Sequence, residues 1–196
     1  MALAKGRYTW RHNKVLESLA ETIREAAEDS TQTKSSTRKF VSERTHAKSA
    51  VPCNTLAPGI LGRAFDWKIA ADLKGQDDYP DVVKKSGARP DIVLTSNDAQ
   101  KCILVELTVP YETNIEDQHE YKLAKYQSLL HTLKSEGLDA SIFAVEVGAR
   151  GFVAASMYSF LKKLDLGGRK ISRSIKDLAT IAENASCWIW CKRNEA

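Results

Sequence analysis

Apolar residues near the start of the chain fall at helical spacing. Val15, Leu16, Leu19, Ile23 and Ala27 form one stripe, which predicts a helix from about Thr9 to Glu28 with Thr9 placed to cap it. Residues 29–50 are polar, rich in Ser and Thr, and carry no period, so a flexible loop or insertion is expected over 29–60. From Ala64 to Leu73 the period becomes two: Phe65, Trp67, Ile69 and Ala71 alternate with Asp66, Lys68 and Asp72, as in a strand. A polar loop over 74–90 leads to a second strand at Asp91–Ser96. A turn then leads to a third at Cys102–Pro110, whose near-continuous apolar run predicts a buried central strand. Pro110 ends it.

Thr113 and Glu116 have capping-box spacing ahead of a long helix to about Glu136, with Ile115, Leu123, Tyr126, Leu130 and Leu133 on one face and Gly137 as its stop. Ser141–Gly151 reads as a fourth strand. Two helices, about Val153–Leu164 and Arg169–Asn184, are split by Gly167-Gly168, and Ser186–Arg193 reads as an edge strand. Helix, three strands, helix, strand and an extra helical pair describe one α/β domain over 1–196, with 152–196 as a C-terminal helical extension.

Composition changes this picture little. Of 196 residues, 43% are hydrophobic and 28% charged, ordinary for a globular chain. No apolar run approaches the roughly 20 residues that cross a bilayer, and the first residues lack a secretory apolar core, so an intracellular protein with no membrane partner is expected. Cys53, Cys102, Cys187 and Cys191 form no C-x-x-C pair and are expected as reduced structural thiols; His46, His119 and His131 show no ligand spacing. The net charge of +4 is unevenly spread: residues 1–50 hold ten Lys/Arg against six Asp/Glu, residues 151–196 eight against four, and residues 51–150 eleven against fifteen. Basic flanks around an acidic centre suit cations that steer a phosphate backbone and carboxylates that hold metal.

The acidic centre carries the chemistry. Asp91 opens one strand and Glu106 lies inside the next, so a hairpin brings both to one end of a sheet, with the Leu107 carbonyl as a natural third oxygen for a hard cation. A carboxylate within CILVELTVP is costly unless it binds metal, pairs with a Lys or faces water on an alternating strand. Lys122 and Tyr126, four apart, share a helix face; a Lys there can orient a nucleophile or stabilise phosphoryl charge, and Lys125 is the alternative on a neighbouring face. Asp72 and Glu146 are further acids on strands and accessory candidates. Arg150 follows a Gly and is a candidate phosphate contact. Lys162, Lys163, Arg169, Lys170, Arg173 and Lys176 form a basic belt, read equally as backbone binding or as a solvated face. Trp188 and Trp190 alternate with Ile189, which predicts core or edge-strand packing.

ARPD, then VELTVPYE, then a helix carrying K-x-x-x-Y resembles the PD-(D/E)XK superfamily of restriction-like nucleases. With RYTWRHNKVL, ARPDIVL, ELTVPYE, VEVGARGFV and AxxASxWIW in that order, the chain is more closely similar to the restriction-like endonuclease domain of non-long-terminal-repeat retrotransposons. The resemblance implies an αβββαβ core with a mixed sheet. It also implies Mg²⁺ (or Mn²⁺) on Asp91, Glu106 and the Leu107 carbonyl, with Lys122 and Tyr126 completing the catalytic group. The implied activity is nicking of target DNA for reverse transcription by a polymerase domain of the parent element, which implies a nuclear protein. The superfamily's usual Lys, two residues after the second acid, is Thr108 here. That departure keeps a second reading open, a DNA-binding module of the same fold without cleavage. Arg7, Arg11 and His12 at the first helix, and Arg89 beside the Pro-Asp pair, are the DNA contacts this resemblance suggests. Glu17 or Glu21 is the accessory acid the resemblance suggests from the first helix.

Overall fold

The computed structural model describes residues 6–39, 59–62 and 64–193. The chain forms α1 (Arg7–Lys39), β1 (Lys68–Ala71), α2 (Asp81–Ser86), β2 (Ile92–Ser96), β3 (Lys101–Thr108), α3 (Ile115–Lys125), α4 (Gln127–Ser135), β4 (Asp139–Glu146), α5 (Ala155–Lys163) and α6 (Gly168–Cys191). The four strands make one mixed sheet in the order β1-β2-β3-β4, antiparallel through β3 and parallel between β3 and β4. The parallel step follows from its connection, because α3 and α4 carry the chain back across the sheet before β4 begins.

Helices cover both faces. On one, Val15, Leu16, Leu19, Ala20 and Ile23 of α1 pack with Phe160 and Leu161 of α5 and Leu178 and Ala182 of α6 against Ile92, Leu94, Ile103, Val105 and Leu107. On the other, Tyr79, Val83, Tyr126, Leu129 and Leu133 pack against Val93, Cys102 and Leu104. β3 is therefore buried on both sides, as its apolar run predicts, and Glu106 belongs to the second face. Truncating a fully buried Leu such as Leu19 costs about 2–5 kcal/mol.

Several boundaries differ from the sequence expectation. The first helix continues to Lys39; residues 40–58, most of what remains of the expected 29–60 loop, lie outside the described residues, with His46 and Cys53 among them. A short helix interrupts the polar loop at Asp81–Ser86. The capping box at Thr113 does not form, because the chain enters α3 through a 3-10 turn at Glu112–Asn114 and Asn114 makes no side-chain cap. The long helix breaks at Tyr126 (φ −100°, ψ 5°), where the ring turns into the second core. Gly137 ends α4 with φ +85°, a conformation that suits glycine.

The expected C-terminal edge strand is instead the last turns of α6. Ile171, Leu178, Ala182, Ala185 and Ile189 keep one helical stripe to its end, and α1 packs along it. Trp188 and Trp190 consequently lie on the helix surface, exposed; Trp188 meets Trp10 with ring centroids 4.7 Å apart. Cys102, Cys187 and Cys191 are free thiols, and burial pushes Cys102 up to about 11. Among the described residues no helix is long and apolar enough to cross a membrane.

Candidate functional site

The site forms where the β2–β3 ladder runs out. Its last paired residues are Ile92 and Val105. A residue's N–H and C=O in an extended strand project to the same edge, so beyond Val105 the main-chain groups of Leu107 that face β2 need other partners. Asp91, one residue before β2, supplies the first: its Oδ2 accepts the Leu107 N–H at 2.7 Å. The Asp91 N–H in turn donates to Glu106 Oε2 at 3.2 Å. His12, near the start of α1, supplies the other, with Nε2 3.2 Å from the Leu107 carbonyl oxygen and 3.4 Å from Asp91 Oδ2. The short strand β2 thus leaves two acids and a carbonyl converging at one sheet end.

Glu106 is 2% exposed and Asp91 8%. Lys122 on α3 contacts Glu106 Oε1 directly, and Lys125 lies 3.8 Å from the same atom. The choice between the two lysines is therefore a matter of distance: both reach Glu106, and Lys122 makes the contact. Burial and the neighbouring Asp91 carboxylate raise the Glu106 pKa, and Lys122 offsets only part of this. For His12, burial acts to lower the pKa, but the hydrogen bond and charge of Asp91 outweigh it and the net direction is upward.

Two tyrosines hold the approach to Asp91. The Tyr126 hydroxyl donates to the Arg89 carbonyl at 2.9 Å and accepts from Lys125 Nζ at 3.0 Å. The Tyr79 hydroxyl donates to the Pro90 carbonyl at 2.7 Å. Burial, with the Glu106 charge beside it, raises the Tyr126 pKa and keeps the hydroxyl protonated. Sequence reading did not single out Tyr79, since a Tyr in a polar loop gives no sign of which carbonyl it meets. His12, expected as a DNA contact, instead reaches Leu107 and Asp91; the signal for this in the sequence is that His12 continues the stripe of Val15, Leu16 and Leu19 toward the sheet.

A cleft of about 570 Å³ opens beside these groups, lined by Tyr8, His12, Asp91, Leu107, Thr108 and Lys122 among others. Thr108, where a Lys is usual in the resembled superfamily, contributes a buried hydroxyl without a hydrogen-bond partner.

The remaining candidates do not join this group. Glu17 is exposed on α1 and pairs with Lys14 at 2.8 Å. Asp72 pairs with Arg89 at 2.7 Å, which also lies 3.9 Å from Asp77. Glu146 accepts from Ser156 and pairs with His119 Nδ1 at 2.8 Å. Arg7 reaches the Lys192 carbonyl, and Arg11 is buried with Nη2 on the Val109 carbonyl at 2.8 Å and Nη1 on Ser186 at 2.9 Å. Both arginines tie α1 to its neighbours, so Arg11 is a structural clamp where a phosphate contact was expected. Arg150 is exposed, clasped by Glu112 and stacked over Tyr111.

The Arg169–Lys170 part of the basic belt lies away from the site. Lys170 contacts Asp29, 17 residues along α1 from His12, or roughly 25 Å at helical rise. Arg169 and Lys170 border a separate cleft of about 490 Å³. Lys163 lies over the Phe143 ring, Arg173 pairs with Asp177 at 3.7 Å, and Lys162 is exposed on α5. Arg169 and Lys170 are therefore not part of one patch with the acidic group.

Among the described residues no three His, Cys, Asp or Glu side chains form a ready metal cluster. The Glu106 oxygens are turned to Lys122 and the Asp91 N–H. The donor set is otherwise that of a hard divalent cation: two carboxylates, a carbonyl off the ladder and an unpartnered hydroxyl beside them. Two buried acids whose charges oppose each other are a place where a cation relieves strain that Lys122 relieves only in part. The chain matches no protein-family model, and no curated protein matches it.

Proposed function

We propose that the chain is a restriction-like endonuclease domain that hydrolyses a DNA phosphodiester bond with Mg²⁺ or Mn²⁺, nicking target DNA so that a retroelement reverse transcriptase can extend the exposed 3′ hydroxyl. The observation that carries this reading is the convergence of Asp91, Glu106 and the Leu107 carbonyl with Lys122 at the open end of β2 and β3. The order of α1, three strands, α3–α4 and β4 agrees with the αβββαβ core of that family. The polymerase partner and a nuclear location belong to the same proposal.

Asp91, Glu106 and the Leu107 carbonyl would hold the cation. When bound, it polarises a phosphoryl oxygen and lowers the pKa of an attacking water. Lys122 supplies a fixed positive charge beside Glu106, able to orient that water or to stabilise charge on the phosphoryl group. Tyr126 and Tyr79, through the Arg89 and Pro90 carbonyls, fix the backbone that presents Asp91. Lys125, Arg89 and Arg150 offer cationic contacts for the DNA backbone near the site.

Thr108 favours a second reading, a DNA-binding module that has lost cleavage. Nicking of supercoiled plasmid with Mg²⁺ or Mn²⁺ separates the two. Wild type nicks, and Asp91→Ala and Glu106→Ala do not. Equal background nicking by all three removes the enzyme reading, and salt-dependent duplex binding by the same proteins then supports the module.

A further inference from the structure

We infer that His12 is a nitrogen ligand of the cation at this site and tilts it toward a transition-metal ion such as Mn²⁺ over Mg²⁺. The inference rests on the metal-site reading above. His12 Nε2 stands 3.2 Å from the Leu107 carbonyl oxygen and 3.4 Å from Asp91 Oδ2. Atoms bound to one ion at about 2.1 Å, at right angles to each other, are about 3 Å apart, so these separations are close to those of neighbouring ligands. The nitrogen already serves the two oxygens that the proposed cation would share.

The other face of the ring has a partner that sets its tautomer. Nδ1 lies 3.3 Å from Asn13 Oδ1. The Nε2–H that faces the Leu107 carbonyl and Asp91 would give up its proton when a cation takes that place, while Nδ1 would keep its own proton for Asn13 Oδ1, so that Nε2 would present its lone pair to the ion. Histidine ligands commonly have such a partner on their second nitrogen.

The ring is also carried on a fixed support. His12 sits on the buried side of α1, and its neighbour Arg11 bonds the Val109 carbonyl, just beyond the site strand, and Ser186 of α6. The support matters because ligand atoms need placement within fractions of an ångström. No acid of α1 does this work: Glu17 is turned to Lys14 in solvent. Mn²⁺ shares the preference of Mg²⁺ for carboxylate, carbonyl and water, but Mg²⁺ is the more reluctant of the two to exchange water for an imidazole nitrogen, which gives the expected tilt.

Pulsed EPR of the full chain loaded with Mn²⁺ tests this without relying on activity. Wild type is expected to show ¹⁴N coupling to the bound Mn²⁺, retained in His119→Ala and lost in His12→Ala. His12→Gln, which keeps an amide donor toward the Leu107 carbonyl, is expected to lose it as well. Calorimetric titration should show Mn²⁺ affinity falling about 10–100-fold in both His12 variants, with Mg²⁺ affinity falling much less. Mn²⁺ that binds in an Asp91-dependent manner without ¹⁴N coupling, or with coupling unchanged in the His12 variants, overturns the inference alone. Absence of any Asp91-dependent Mn²⁺ binding overturns it together with the metal-site reading.

Discussion

Glu106 and Glu146 are nearly fully buried on neighbouring strands, and α3 meets both, with Lys122 at one and His119, three residues earlier, at the other. Their surroundings differ in kind. Each Glu146 oxygen has its own partner, His119 Nδ1 on one and the Ser156 hydroxyl on the other. Glu106 shares one oxygen between Lys122 and Lys125, gives the other to the Asp91 N–H, and faces the Asp91 carboxylate, which helps to raise its pKa. Burial of an acid therefore does not by itself mark a cation site. On the proposed reading, the mark is a buried acid beside a second acid, with a carbonyl freed from the sheet ladder.

The largest expected effect tests that distinction directly. Glu106→Gln should abolish Asp91-dependent Mn²⁺ binding and reduce plasmid nicking by more than about 100-fold, beyond the loss usual for removing a supporting partner. Glu146→Gln should leave Mn²⁺ affinity within about threefold of wild type, because its oxygens are committed elsewhere. Similar losses of affinity in the two variants, measured by calorimetric titration, would erase the comparison. A smaller step separates the two lysines. Lys122→Ala should slow nicking about 100-fold, in the range for removing one preorganised donor, and Lys125→Ala far less, since Lys122 is the closer of the two to Glu106. A larger loss in Lys125→Ala would exchange their roles.

The Glu106 end of the comparison was legible in the sequence, and the Glu146 end was not. An acid inside an apolar strand, preceded by Pro-Asp one hairpin earlier, specifies its own geometry, because local pairing fixes where Asp91 and Glu106 meet. Helical spacing puts Lys122 and Tyr126 on one face of the next element, the resemblance points to Lys122, and the choice between Lys122 and Lys125 needs the packing of α3 on β3. His119 and Ser156 converge on Glu146 from α3 and α5, a contact set by how three elements pack, and no local period encodes it. The same reason hid His12, which reaches Leu107 across 95 residues. The C-terminal strand was misread because Trp188, Ile189 and Trp190 alternate over too short a window to be told from a helix whose stripe began at Ile171. The arginines at the chain start were legible as cations but not as clamps, since burial of Arg11 depends on α6 returning to meet α1.

Metal addition gives a more modest, thermal contrast. A cation that binds only the folded chain at about 100 times its Kd stabilises by about 2.7 kcal/mol, which for a chain of this length is a Tm rise of about 5–10 °C. Wild type and Glu146→Gln should both show it in differential scanning calorimetry with Mn²⁺, and Glu106→Gln should not. A rise of the same size in Glu106→Gln would place the bound ion elsewhere.

The smallest effect uses a third acid as a reference. Burial acts to raise the pKa of Glu112, but the Arg150 N–H at 2.7 Å and the Arg150 guanidinium at 2.9 Å outweigh it, and the net direction is downward. This is opposite to Glu106, where burial and Asp91 prevail over Lys122. A depressed folded pKa contributes stability that is present above the ordinary glutamate value of 4.5 and is lost as pH falls through the folded value. Glu112→Gln should therefore melt slightly below wild type at neutral pH, and the gap should close as the pH is taken below that value, because the wild type loses what the variant never had. The Arg150 side of the pair is open to solvent, so added salt should narrow the gap as well. Paired thermal melts across that pH range, with EDTA present to exclude cation binding, make the measurement. A gap that widens on acidification would mean that Glu112 resembles Glu106, and that the difference between a clasped acid and an opposed pair has been drawn in the wrong place.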